Sequence, residues 1–219
     1  MASGWRLQLL FNHAVPTTQQ LLNTTADIDG IQQILRAELD DHSHAAQQWT
    51  RDPLGCLPKG RAAIDTQEPL SDDRVKKLAG ALDAAWYSCR LYRPLPLTLR
   101  PGESFPGTLQ LCCFQRLPGL SDETLKRAWL EEHTSVAIET QSTLGYYQNL
   151  IVTSGGPHFD GIVEEYFPPE ASQSVAAFFA ASDDPERLKA NVQRMTHSTS
   201  RFLDLDATEV VHLTETRIQ

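Results

Sequence analysis

The chain has 219 residues, 41% hydrophobic and 21% charged, an ordinary composition for one large globular domain or two small ones. A net charge of −9, with no basic run and no glycine-rich phosphate loop, argues against a nucleic-acid or nucleotide partner. No stretch approaches the ~18 apolar residues of a membrane span, and the start, MASGWRLQLLFN, lacks a signal-peptide pattern, so the expectation is a cytoplasmic protein off the membrane.

In chain order, WRLQLLFN (5–12) reads as a strand. DIDGIQQILRAEL (27–39) reads as a helix, because Ile28, Ile31, Leu35 and Leu39 fall on one helical face. AAQQWTR and GRAAIDTQEPL read as strands two and three. SDDRVKKLAGALDAAW (71–86) is a helix opened by Ser71, with Val75, Leu78, Leu82 and Trp86 inward. SCRLYRPLPL follows as a fourth strand whose prolines suit a sheet edge. TLRPGESFPG is rich in Pro and Gly and reads as a linker.

TLQLCCFQRL (108–117) begins a second series. After a turn, Ser121 caps a helix running to about Gln141, with Asp122 and Glu123 in its positive first turn. Strands follow at LGYYQNLIV (144–152) and FDGIVEEYF (159–167), then a short helix in ASQSVAAFFA. Asp184-Pro185 opens a longer helix with the stripe Leu188, Val192, Met195, Thr199, Phe202. TEVVHLTETRI (208–218) closes the series as a strand.

Both halves then read β-α-β-β-α-β, and R-L-Q-L-L matches T-L-Q-L-C with Leu7 102 residues before Leu109. The expected fold class is α+β: two tandem ferredoxin-like units forming an intramolecular dimeric α+β barrel, each burying its open sheet face against the other. The expected domains are 1–98, a degenerate repeat; 99–107, a linker; and 108–219, a repeat carrying the site. Monomer and homodimer are both compatible with that arrangement.

The stretches QLCCFQRLPGLSDE, LKRAWLEEH and FDGIVEEYFP carry a resemblance. Residues 106–218 are similar to an EthD-type domain of the dimeric α+β barrel superfamily. That pattern has a strand ending in a basic residue, a Pro-Gly-Leu-Ser turn, a helix ending near an aromatic and a His, and a later strand carrying Asp. The superfamily includes polyketide cyclases, dehydratases, decarboxylases, isomerases, quinone-forming monooxygenases and haem-degrading enzymes, most acting on small, often aromatic molecules. The resemblance implies chemistry of this kind and a functional His at position 133.

The residues support it in part. His133 lies on or beside the stripe of Leu125, Trp129 and Val136, where an imidazole is able to exchange a proton at neutral pH. Alternation groups Asp160, Ile162, Glu164 and Tyr166 on one face of strand 159–167, taken to be the helix-covered one. Asp160 would orient His133 or hold a substrate hydroxyl. Tyr146 and Tyr147 point to opposite faces, and a phenol on the helix side would stabilise an oxyanion. The expected catalytic set is His133, Asp160 and Tyr147; Trp129, Tyr146, Ile162, Glu164 and Tyr166 would line the substrate.

Adjacent Cys112 and Cys113 cannot share a zinc in the usual manner, and with Cys56 and Cys89 they read as buried thiols. His42 and His44, near Asp40 and Asp41, read as a solvated loop. No metal and no cofactor are expected. The function expected is a cofactor-independent lyase or isomerase acting on a small apolar, aromatic or polyketide-like substrate with His133 as general acid or base. The alternatives are a cofactor-free monooxygenase of phenols, or a non-catalytic binder of hydrophobic molecules or of haem ligated by His133.

Overall fold

The computed structural model describes residues 4–41 and 43–219. The strands are β1 (Gly4–Phe11), β2 (Ile31–Glu38), β3 (Gly60–Thr66), β4 (Ala85–Leu95), β5 (Thr108–Arg116), β6 (Gly145–Gly155), β7 (Gly161–Phe167) and β8 (Leu203–Arg217). The helices are α1 (Thr18–Thr25), α2 (Asp72–Leu82), α3 (Asp122–Lys126), α4 (Thr134–Thr140), α5 (Val175–Phe178) and α6 (Pro185–Thr199). A π-helical stretch, Arg127–His133, joins α3 to α4, and 3-10 turns lie at Ser43–Trp49 and Pro169–Ser172.

All eight strands form one closed antiparallel barrel in the order β1-β3-β2-β8-β5-β7-β6-β4. This corrects the expected pair of tandem ferredoxin-like units. β2 pairs with β8, and β4 pairs with β6, so the ladders run from one half of the chain into the other without a break. The reason is the sheet edge: an unpaired edge leaves a row of N–H and C=O groups open, and closing the barrel removes every edge.

Three sequence expectations in the first half change with it. Residues 31–38 form strand β2, and helix α1 lies earlier, at Thr18–Thr25, under a capping box made by Thr17 and Gln20. AAQQWTR contributes to a 3-10 turn instead of a strand. β4 is no edge, since it pairs with β1 and β6; Pro94 is tolerated because it lies beyond Leu91, the last residue paired with β1, where the β6 register also shifts. Leu7 and Leu109 also lie on opposite sides of the wall, Leu7 packing outside and Leu109 inside, so the 102-residue match does not superpose their side chains.

The barrel interior is filled. Apolar side chains such as Leu91, Leu111, Ile162 and Leu213 occupy part of it. A band of charge occupies the rest. Arg6 donates to Asp65 (Nη2–Oδ2 2.8 Å) and to Glu164 (Nη1–Oε2 2.6 Å). Arg61 donates to Glu164 (2.9 Å) and to Glu215, and Tyr166 donates to Glu215 Oε1 at 2.6 Å. Gln8 and Asn149 also donate to Glu164. Burial alone would raise the Glu164 carboxyl, but the Arg6 and Arg61 guanidiniums outweigh it and hold its pKa below the ordinary value.

Outside the wall, α1 and α2 cover one side over Leu9, Phe11, Leu21, Ile64, Val75 and Leu78. α3, the π-helical stretch, α4 and α6 cover the other over Phe114, Trp129, Tyr146 and Phe202. Cys112 packs in this outer layer and Cys113 in the interior, opposite faces as alternation requires. Burial raises the Cys112 thiol to about 12, so it stays protonated. No helix among the described residues is long and apolar enough to cross a membrane.

Candidate functional site

Between the second helical layer and the barrel wall lies a cavity of about 130 Å³, lined by residues that include His133, Trp129, Tyr146, Glu165, Gln110 and Gln141. The helix that builds its roof begins at Ser121, whose hydroxyl accepts from Thr124 N. After Lys126 the winding widens to π, and both Trp129 and His133 belong to that segment. Single π-helical turns leave the regular ladder and are frequent at functional sites. Gly161 makes room beneath: a Cβ there would sit 2.5 Å from the Trp129 ring.

His133 is 6% exposed. Its Nδ1 is 2.9 Å from Ser198 Oγ on α6, and its ring meets Phe202 at 5.1 Å. Burial without a charged partner lowers its pKa to about 4, so the imidazole is neutral at pH 7. Across the cavity Glu165 Oε2 accepts from Gln110 Nε2 at 3.0 Å. The Gln141 amide satisfies its surroundings with its nitrogen 3.1 Å from Glu165 Oε1. Burial raises the Glu165 carboxyl to about 8, so it is mostly protonated at pH 7. The site thus holds an uncharged base and an uncharged acid.

Two buried donors complete it. The Trp129 indole nitrogen and the Tyr146 hydroxyl lie near one another, yet neither makes a hydrogen bond of good geometry. An unsatisfied buried polar group costs ~1–3 kcal/mol.

The site expectations from sequence divide. Trp129, His133 and Tyr146 meet at this cavity. Asp160 does not: it binds Arg116 (Nε–Oδ1 2.7 Å) and accepts from Arg116 N at 2.8 Å, away from the cavity. Tyr147 faces the barrel interior, where its hydroxyl donates to Leu97 O at 3.0 Å. Ile162, Glu164 and Tyr166 face the interior as well, so the helix-covered face of β7 is Val163, Glu165 and Phe167, the reverse of the expected parity. Glu165, Gln110, Gln141 and Ser198 were not read from sequence. Strand alternation would have found Glu165 had the inward face been known. Among the described residues no three metal-binding side chains gather into a site; His42 lies outside them.

No family model matches the chain, and no curated protein matches it. Among solved structures it is similar to an anthrone oxidase-like protein, with a TM-score of 0.57 at 10% identity over 98% of this chain and 93% of that one. The two share a fold. A candidate monooxygenase from Fusobacterium nucleatum subsp. nucleatum aligns over 100% of this chain and 94% of its own at 9% identity, with a TM-score of 0.47. The likeness to the first is one of fold alone, the second carries no argument, and the EthD resemblance has no family model behind it.

The raised Glu165 carboxyl predicts a pH effect on stability. Its ordinary value is 4.5 and its folded value about 8, so between those limits the folded chain binds more protons than the unfolded one. Stability therefore falls as pH rises through that window, by up to about 1.4 kcal/mol per unit for one group. Glu165→Gln removes the term. Urea denaturation at pH 5, 7 and 9 should show the variant gaining on the parent by a few kcal/mol; a pH-independent difference would place Glu165 at its ordinary value.

Proposed function

We propose that the protein is a cofactor-independent enzyme moving protons on a small apolar, aromatic carbonyl or phenolic substrate, in the lyase or isomerase class. The observation that carries this reading is the meeting of a neutral His133, a protonated Glu165 and the Tyr146 and Trp129 side chains around one cavity. With Nδ1–H donating to Ser198, His133 Nε2 takes a proton from a carbon next to the substrate carbonyl. Charge develops on the carbonyl oxygen, where Tyr146 O–H and Trp129 N–H supply hydrogen bonds. Glu165 returns a proton, to another carbon in an isomerisation or to a departing hydroxyl in a dehydration. Activity should then fall below about pH 4, when His133 is charged, and above about pH 8, when Glu165 is charged.

The test is deuterium uptake. Incubated with 2-indanone in D2O, the protein should speed exchange of the acidic C–H hydrogens, read by proton NMR. No acceleration at any pH from 5 to 8 would sink the reading. A second reading, cofactor-free oxidation through the same carbanion, draws support from the fold shared with an anthrone oxidase-like protein. Oxygen uptake with anthrone as substrate separates the two. A haem-binding role is disfavoured by size, since a cavity of about 130 Å³ is much smaller than a porphyrin.

A further inference from the structure

A second hollow abuts the first. It also measures about 130 Å³ and is lined by Trp49, Gln110, Val175, Phe178 and Phe179, an almost wholly apolar surface. Gln110 belongs to both linings, and its amide is the group that holds Glu165. The two hollows therefore have one side chain as their common wall, at the point where the carboxyl is anchored.

Size makes the second hollow relevant. A dry cavity of ~150 Å³ accepts benzene, and pockets for larger ligands run from ~300 Å³ upward. The His133 cavity alone, at about 130 Å³, has room for one ring. The adjoining groove offers an equal further volume, joined to the first where the Gln110 side chain that separates them swings aside.

The groove is also built to persist. The Phe178 carbonyl accepts from Ser142 N at 2.9 Å, and the Phe179 carbonyl accepts from Asn191 Nδ2 at 2.8 Å. The Phe178 ring packs 4.5 Å from Phe167, the last residue of β7. Trp49 comes from the other half of the chain and is held there by Nε1 donating to Ser172 O at 3.3 Å, beside Gln48 Nε2 donating to the same oxygen at 2.9 Å. Val175, 40% exposed, leaves its mouth open.

We infer that the Trp49–Val175–Phe178–Phe179 groove is a second subsite of the same binding site, receiving an apolar substituent of the substrate whose reacting ring lies beside His133 and Glu165. The inference rests on the reading of the His133 cavity as the substrate site. It makes segment 175–179 and Trp49 the determinants of substituent size, while His133, Glu165 and Tyr146 handle the reacting group. Chemically, the substrate is a head-and-tail molecule: a carbonyl or phenolic ring with an alkyl or aryl group of similar bulk, and no charge on that group, because the groove offers none.

The test is a series of phenol, 4-ethylphenol, 4-propylphenol and 4-butylphenol, with affinity for the full chain measured by calorimetry. Each methylene buried in an apolar groove is worth ~0.8 kcal/mol, so affinity should rise about three- to fourfold per methylene. Val175→Trp fills the groove from its exposed mouth. In that variant phenol should bind unchanged while the rise with tail length disappears. Val175→Ser, which removes apolar contact without filling space, should flatten the rise only in part. A rise that persists undiminished in Val175→Trp, equal weakening of phenol itself, or no binding by any of the four at 10 mM overturns the subsite. Deuterium exchange with 2-indanone reads the head group alone. If His133→Ala leaves that exchange intact while Val175→Trp still flattens the series, the acid–base reading fails and the subsite stands; the converse pair of results fails the subsite alone.

Discussion

Replacing His133 by alanine should lower turnover by ~10²–10⁴-fold, the usual contribution of a positioned proton-transfer group. The expectation rests on geometry before acidity. His133 is fixed between Ser198 and Phe202, lines the cavity, and stands on the wide π-helical turn that also presents Trp129. A residue so packed also has a structural role, so loss of activity by itself would be ambiguous. His133→Gln resolves this. Its amide retains hydrogen bonding and most of the volume but has no basic nitrogen, so it should lose as much rate as alanine while melting close to the parent. The acid limb of the pH–rate profile should also vanish in both variants, because that limb is the protonation of His133 near pH 4. Near-parental activity in His133→Gln would mean the imidazole serves packing alone.

The second large effect concerns stability. Arg6→Met should destabilise the fold by about 3–5 kcal/mol, because it leaves Asp65 and Glu164 in the barrel interior with one of their principal counter-charges removed. Arg6, Asp65 and Glu164 are all fully buried, so water is not at hand to compensate. A chain of this size shifts in melting temperature by ~2–4 °C per kcal/mol, which makes a fall of about 10 °C the expected reading. Adding Glu164→Leu should recover part of the loss, since the second change removes one stranded charge. The measurement is urea denaturation of parent, single and double variants at pH 7. A loss below 1 kcal/mol in Arg6→Met would show that the interior rearranges or admits water to satisfy the carboxylates.

These two residues differ in how far they could be read in advance. His133 is legible because helical spacing puts Leu125, Trp129 and His133 on one side; the π-helical winding of Arg127–His133 then shifts the stripe, so that Ala137 is buried and Val136 only half-buried. The Ser121 and Asp184 caps are legible for the same reason, being local hydrogen bonds to Thr124 N and Arg187 N. Arg6 is not legible, since its partners stand 59 and 158 residues away and only barrel closure brings them together. Residues 31–38 resemble a helix in sequence because Ile31 and Leu35 suit a helix as well as a strand. What decides for the strand is pairing with β3 and β8, and Ile34 and Leu35, neighbours on opposite faces, are both buried because the wall is covered on both sides.

The early start of β8 at Leu203 and the widened winding of Arg127–His133 escape local pattern. Local pattern settles the main strands of the second half, the helix starts at Ser121 and Asp184, and an indole and an imidazole four residues apart on a buried face. Those properties depend on residues a few positions apart, within reach of backbone hydrogen bonds and side-chain spacing. Which side of each strand looks into the barrel is settled by pairing between distant strands. That choice sent Glu164 to two arginines in the interior and Glu165 to the cavity beside His133. Two neighbouring carboxyl groups thereby acquired opposite characters, one held ionised by guanidinium charge and one kept protonated by burial. Alternation fixes only that they differ; the closure of strands from distant parts of the chain fixes which is which.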